Sequence, residues 1–236
     1  MLKTGVTILI CTYNGGVKLT KTLAHLAKQI VPENISWEII LVDNASTDNT
    51  IAIALEEWKK YSLNIPFRVI SEDIPGKLYA LQKGIAMANY EYFIICDDDN
   101  WLEPNYINIA FDILKNNPKI GAVGGETIAV SDDGEVFPDW FETYKEGYAV
   151  GKQAEKSGDI TGRGHLWGAG LASRTALYRK VYKDIPSLLI DENNTKILSA
   201  EDTENCLGII LNGYTLYYTS DLKLKHFIPS ARISIS

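Results

Sequence analysis

Residues 94–101 read Ile-Ile-Cys-Asp-Asp-Asp-Asn-Trp, an apolar run that ends in three consecutive carboxylates, Asp97, Asp98 and Asp99. Charge of that density is costly on a folded surface unless something cationic neutralises it. The expected neutraliser is a divalent metal, because Mg²⁺ and Mn²⁺ favour carboxylate oxygens and often carry substrate phosphates alongside. Asp97 and Asp99 are two apart, which puts both carboxylates on one side of an extended chain. Two other apolar runs end in polar residues, Thr12-Tyr13-Asn14 and Asp43-Asn44. Taken singly, each has a plain alternative as a turn or helix cap. In Pro75-Gly76-Lys77, the glycine permits close backbone approach and the lysine is a cation beside any phosphate lying there.

These groups converge only if the elements between them form one sheet. Val6–Cys11, Trp37–Val42, Phe67–Ile70 and Tyr92–Cys96 read as short, nearly continuous apolar strands. Helical spacing covers Val17–Ile30, the stretch after a capping Asp48, and Tyr79–Ala88. Pro104 suits the first turn of a helix running to about Asn116. The β-α-β-α-β-α-β order predicts an α/β fold with a doubly wound, mostly parallel sheet and helices on both faces. Such sheets bind ligands beyond the carboxyl ends of their strands, where all three polar sets fall.

The second half is less regular. Ser131–Arg163 reads as an excursion, Trp167–Ser173 as a strand leading into a helix near Thr175–Tyr182, and Asp184–Ser199 as a loop. Glu201–Leu211 has helical character and Thr215–Thr219 that of a strand. No linker or repeat is evident, so residues 1–236 are expected to form one domain. Its regular βα half would cover 1–125 and its less regular half 126–236.

With 46% hydrophobic and 22% charged residues, the composition is that of an ordinary globular protein. A net charge of -7 argues against nucleic acid as a partner. Cys11, Cys96 and Cys206 form no C-x-x-C pair, as expected of reduced thiols in a cytosolic protein. No apolar stretch approaches the ~18 residues that span a bilayer. The expected location is therefore the cytoplasm, with peripheral attachment to the inner face of the membrane as its alternative.

The set Thr7–Asn14, Ile40–Asp48 and the Asp-x-Asp cluster resembles the family 2 glycosyltransferases of the GT-A fold. The resemblance covers nearly the whole chain. It implies inverting transfer of a sugar from a nucleotide-diphosphate donor, UDP-linked by preference, to a sugar or glycolipid hydroxyl, assisted by Mg²⁺ or Mn²⁺. By that similarity Thr12, Tyr13, Asn14 and Asp43 would hold the nucleoside, and Gly76 and Lys77 would line the nucleotide. Asp97 and Asp98 would lie on its ribose side, Asp98 alternatively pointing away to serve the fold. Asp99 would bind the metal, with Asp97 sharing in it. Glu201-Asp202 resembles the family's acidic dyad, with Asp202 as general base, a role that typically supplies ~10²–10⁴-fold in rate. His226 is a candidate metal or phosphate ligand, with a structural role as its alternative. Trp167 resembles part of the loop shaping the donor-sugar side, and Trp101 and Trp140 are candidates for stacking on sugar faces. No Gln-x-x-Arg-Trp signature of processive members occurs, so single addition is expected.

Two rivals remain from the sequence. A nucleotidyltransferase would need a Gly-rich basic loop near the N-terminus, of which Gly15-Gly16-Val17-Lys18 is a poor version. A non-catalytic nucleotide-sugar-binding module would bind a donor without turning it over. A dinucleotide dehydrogenase is unsupported, since no G-x-G-x-x-G follows the first strand.

Overall fold

The computed structural model describes residues 1–131, 136–184, 187–188 and 200–233. Its first half alternates β1 (Lys3–Thr12), α1 (Gly16–Leu26), β2 (Trp37–Asn44), α2 (Thr50–Lys60), β3 (Phe67–Glu72), α3 (Lys77–Met87) and β4 (Tyr90–Ile95). There follow β5 (Asn100–Leu102), α4 (Tyr106–Asn116), β6 (Ile120–Val130), α5 (Asp139–Tyr144), β7 (Gly158–Asp159) and β8 (Ala172–Arg174). The chain continues with α6 (Thr175–Asp184), α7 (Glu201–Leu211) and β9 (Thr215–Phe227).

Among the described residues these strands form one sheet in the order β3-β2-β1-β4-β8-β6-β9-β5, with β7 paired to β9. The expected parallel arrangement occupies the first half, where β1 runs parallel to β2 and β4, and β2 to β3. In the second half β8 enters antiparallel between β4 and β6, and β5 lies antiparallel on β9.

Strand alternation explains the apolar runs. Ile8, Ile10, Ile39, Leu41 and Ile94 pack on one face against Leu19, Leu23, Trp58 and Phe111. Leu9, Ile40, Val42, Phe93 and Ile95 pack on the other against Leu81, Ile85, Tyr178 and Ile209. Both faces are covered, so neither side of these strands can afford polar residues.

The second half departs from expectation in particulars. β6 was not anticipated, because Gly121, Gly124 and Gly125 dilute its apolar signal. Gly125 permits close approach: a Cβ there would lie 2.1 Å from the Leu222 carbonyl oxygen. The strand expected over Trp167–Ser173 shortens to β8, since Gly170, at φ +74°, turns the chain first. β9 continues to Phe227, well past the expected Thr219. The excursion over Ser131–Arg163 holds α5, 3-10 turns at Lys145–Tyr148 and Thr161–Arg163, and β7; its residues 132–135 lie outside the described residues. So does most of the loop expected over Asp184–Ser199, namely 185–186 and 189–199.

Candidate active site

β4 ends at Ile95, and the three carboxylates beyond it reach different basic side chains. Asp97 Oδ1 lies 2.8 Å from the Lys77 ammonium. Asp98 Oδ1 lies 2.7 Å from the Lys18 ammonium, while its Oδ2 accepts the Thr12 hydroxyl at 2.7 Å. Asp99 Oδ1 is 3.5 Å from His226 Nε2, and its Oδ2 is 3.8 Å from Lys18. The protein's own lysines therefore neutralise Asp97 and Asp98. Asp98, expected beside the nucleotide, has both oxygens engaged within the fold and takes the fold-serving alternative.

Asp99 is the member with no basic group closer than 3.5 Å, while the Asn100 side-chain amide donates to its Oδ1 at 3.2 Å. Burial, reinforced by Asp97, raises its carboxyl above the ordinary value. The β5–β9 register pairs Asn100 with His226, and the Phe227 N–H donates to the Asp99 carbonyl at 2.8 Å. His226 Nδ1 donates to the Tyr148 carbonyl at 2.9 Å, and its Nε2 lies toward the Asp99 carboxylate. Metal-ligating histidines commonly have this arrangement, with the second ring N–H tied to a carbonyl. An imidazole nitrogen and a carboxylate oxygen side by side are ligand types that a divalent cation takes. Among the described residues no three acidic, histidine or cysteine side chains form a complete metal cluster. Substrate oxygens would have to finish the coordination shell, which suits Mg²⁺ or Mn²⁺.

On the nucleoside side, Thr12 and Asp43 are neighbours across β1 and β2. Asp43 is 5% exposed, and its Oδ1 is buried with no hydrogen-bond partner. An unpaired buried acceptor is unfavourable until a donor reaches it. Tyr13 is exposed. Asn14 has a left-handed φ of +49°, and its Oδ1 accepts the Thr47 N–H at 2.8 Å, joining the loops after β1 and β2. Asn44 accepts the Gly76 N–H at 2.7 Å and donates to the Ile74 carbonyl at 2.7 Å. That clamp holds Gly76, whose φ of +137° excludes a side chain without strain, at the entry to α3.

Lys77 opens α3, and its ammonium stands 2.8 Å from Asp97 and 4.0 Å from Glu201. Burial disfavours its charge, but Asp97, Asp202 and Glu201 outweigh that and raise its pKa. A helix N-terminus with a lysine in its first turn suits a phosphate. Glu201 and Asp202 occupy the first turn of α7. Asp202 Oδ2 accepts the Gly168 N–H at 2.7 Å. Burial pushes the Asp202 carboxyl up to about 6, with Lys77 holding it down and Glu201 adding to the rise. Gly168 is needed for this approach, since a Cβ there would lie 2.3 Å and 2.7 Å from the two Asp202 oxygens. Lys77 thus links the acid loop to the acidic pair, a hundred residues later in the chain.

Trp167 is 8% exposed, and the Arg163 guanidinium lies over its ring at 5.3 Å. Trp101 stacks on His25 and Phe227, and Trp140 lies against Phe141 and Tyr148. All three rings thus have protein neighbours. A cavity of about 500 Å³ between β6 and α5, lined by Ile128, Phe137, Phe141 and Glu142 among others, contains none of the expected site residues. Sequence reading missed the roles of Lys18, Thr22, Asn44 and Gly168. The spacing of Lys18 and Thr22, four apart on a helix, was the available signal.

The family model for Glycosyl transferase family 2 matches residues 7–174. The chain belongs to that family. This family 2 chain is 26% identical over 236 residues to the dolichyl N-acetyl-alpha-D-glucosaminyl phosphate 3-beta-D-2,3-diacetamido-2,3-dideoxy-beta-D-glucuronosyltransferase of Methanococcus voltae, covering 96% of itself and 68% of that protein. It is 34% identical over 122 residues to the poly-beta-1,6-N-acetyl-D-glucosamine synthase of Staphylococcus epidermidis, covering 51% of itself and 28% of the synthase. Among solved structures, the mannosyltransferase PcManGT of Pyrobaculum calidifontis, in complex with GDP-Man and Mn²⁺, superposes with a TM-score of 0.68 at 19% identity. That match covers 98% of this chain and 61% of the other. TarS of Staphylococcus aureus, in complex with UDP-GlcNAc, superposes at 0.65 and 20% identity over 96% of this chain and 58% of that one. The family 2 fold seen here is accordingly of GT-A type. No described helix is long and apolar enough to cross a membrane.

Proposed function

We propose that this domain transfers a sugar, with inversion, from a nucleotide-diphosphate donor to an acceptor hydroxyl. The observation that carries the reading is the Lys77 bridge, which brings the acid loop and the Glu201–Asp202 pair to one site. In this scheme Thr12, Tyr13 and Asn14 line the nucleoside pocket, and Asp43 accepts a hydrogen bond there at its unpaired Oδ1. Gly76 and Lys77 lie along the diphosphate, and Asp97 toward the ribose. Asp99 and His226 would hold Mg²⁺ or Mn²⁺, which when bound stabilises charge on the departing diphosphate. Asp202 removes the acceptor proton as that oxygen bonds to the anomeric carbon. The bond to the diphosphate breaks, the leaving group takes its electron pair, and an oxocarbenium-like transition state is expected. Residues 1–125 would serve the nucleotide and 126–236 the acceptor.

UDP is the favoured donor nucleotide, as in the TarS complex with UDP-GlcNAc. A Mn²⁺ requirement is in keeping with the PcManGT complex. The name of the Methanococcus relative specifies a dolichyl-linked acceptor. A lipid-linked acceptor here would place the protein in the cytoplasm at the inner face of the membrane. The nucleotidyltransferase alternative would need a Gly-rich basic loop after the first strand, of which Gly15-Gly16-Val17-Lys18 is a poor version.

A thermal-shift screen of UDP- and GDP-sugars with and without Mn²⁺ tests the reading. Ligand at a hundredfold excess over its Kd should stabilise the protein by ~2.7 kcal/mol. Absence of stabilisation by every nucleotide sugar would falsify it. Tight donor binding without transfer to any sugar or glycolipid acceptor would favour the non-catalytic module.

A further inference from the structure

The polar side of α1 has no part in the scheme above, yet it tracks the acid loop residue by residue. Lys18 pairs with the Asp98 side chain at 2.7 Å. One turn on, the fully buried Thr22 donates its hydroxyl to the Asp98 carbonyl at 2.7 Å. His25, a further turn along, stacks on Trp101 with ring centroids 5.4 Å apart and planes 14° from parallel. Just past the helix end, the Gln29 side-chain amide donates to the Glu103 carbonyl at 2.9 Å. Positions 18, 22 and 25 share one face of a helix, and their targets run in order from 98 to 101. A polar stripe of this kind normally faces water; this one reads a second segment of chain.

The contacts bracket Asp99. On its N-terminal side Asp98 is held by Lys18, Thr22 and Thr12. On its C-terminal side Trp101 lies against His25 and also stacks on Phe227, the residue after His226, at 5.7 Å. The Lys21 ammonium lies 5.3 Å from the Trp101 ring centroid. Burial and the lysines Lys28 and Lys225 lower the pKa of His25, so a neutral imidazole makes the stack. The Trp101 indole N–H is itself buried without a partner. A buried unpaired donor is unfavourable, so ring contact is what this side chain contributes. α1 therefore fixes both flanks of Asp99 and, through Trp101 and Phe227, the strand that carries His226.

We infer that the Lys18–Thr22–His25 stripe of α1 is a positioning device: it sets the Asp99 carboxylate against His226 at the separation that a substrate-bound divalent ion requires. These are positioning residues and touch neither donor nor metal. The inference rests on the proposed metal–diphosphate site. Outer-shell partners of metal ligands commonly influence affinity by about 10- to 100-fold.

Thr22→Val is the decisive variant, because it removes one hydrogen bond and changes neither charge nor shape. Mn²⁺ binding is measured by titration calorimetry in the presence of UDP or GDP, whichever supports the tighter binding by the wild type. The expected result is a loss of about tenfold in Mn²⁺ affinity, at the low end of the outer-shell range, restored by Thr22→Ser. Leu19→Ala, on the apolar side of the same helix, controls for destabilisation and should lower the melting temperature with Mn²⁺ affinity kept. Wild-type affinity in Thr22→Val overturns the inference while the functional reading stands. An equal loss in Leu19→Ala overturns it too, by making the effect one of general loosening. Wild-type protein that binds Mn²⁺ with neither nucleotide removes the metal site, and the inference with it.

Discussion

The acid loop and the Glu201–Asp202 pair are both dense in carboxylates, yet the fold treats them differently. In the loop, Asp97 and Asp98 each face an ammonium at 2.8 Å or less. Asp202 has no such partner. It accepts one backbone N–H and lies close enough to Lys77 only to be held down electrostatically, while burial pushes it to about 6. A paired carboxylate is held in place, so Asp97 and Asp98 shape the loop around Asp99, the proposed metal ligand. A carboxylate buried with one weak restraint is poised to exchange a proton near neutral pH, as a general base needs. Pairing and withholding of countercharge thus divide side chains of one chemical type between shaping the site and exchanging a proton.

That division can be tested from its strongest consequence downwards. Asp202→Asn should lower kcat by ~10²–10⁴-fold with donor binding unchanged by calorimetry; a parallel loss of donor affinity would merge the two roles. Gly168→Ala should follow, since its methyl would occupy the space of the Asp202 oxygens. Displacing a reacting group by an ångström can reduce rate by about 10²-fold, and single-turnover kinetics would show it. Asp98→Asn should act mainly on stability. Breaking a buried ion pair destabilises by about 3–5 kcal/mol, but Lys18 is a third exposed, so a loss of about 2 kcal/mol is expected in urea unfolding.

The pH dependence is a smaller effect with a definite sign. Only ionised Asp202 accepts a proton, so kcat should be flat above about pH 7 and fall roughly tenfold per unit well below 6. Lys77→Met removes the cation that lowers the Asp202 pKa, so the midpoint should move upward. A downward or absent shift would mean that Lys77 does not act on the base.

The parallel half was legible because its strands are covered on both faces and read as apolar runs ending in polar residues. Glu201–Leu211 was legible to the residue, its acidic first turn marking where α7 begins. β6 was hidden by three glycines whose space is taken by packed neighbours, Leu222 among them. Gly168 gave no sign of its role, since a backbone N–H carries no sequence signature until its acceptor is placed. Lys18, Thr22 and His25 look like a solvated helix face, and their targets lie some eighty residues away. Asp98 could not be separated from its neighbours by spacing, because its fate depended on Lys18 and Thr12 lying within reach.

β9 is the last strand of the described chain, and it pairs with both β5 and β6. His226, the proposed metal ligand, arrives with it, 126 positions after its register partner Asn100. Closing so long a loop is slow and entropically unfavourable. A nascent polypeptide still lacking that strand would bear the Asp-x-Asp turn without His226 beside it, so the proposed centre assembles only after β9 has joined the sheet.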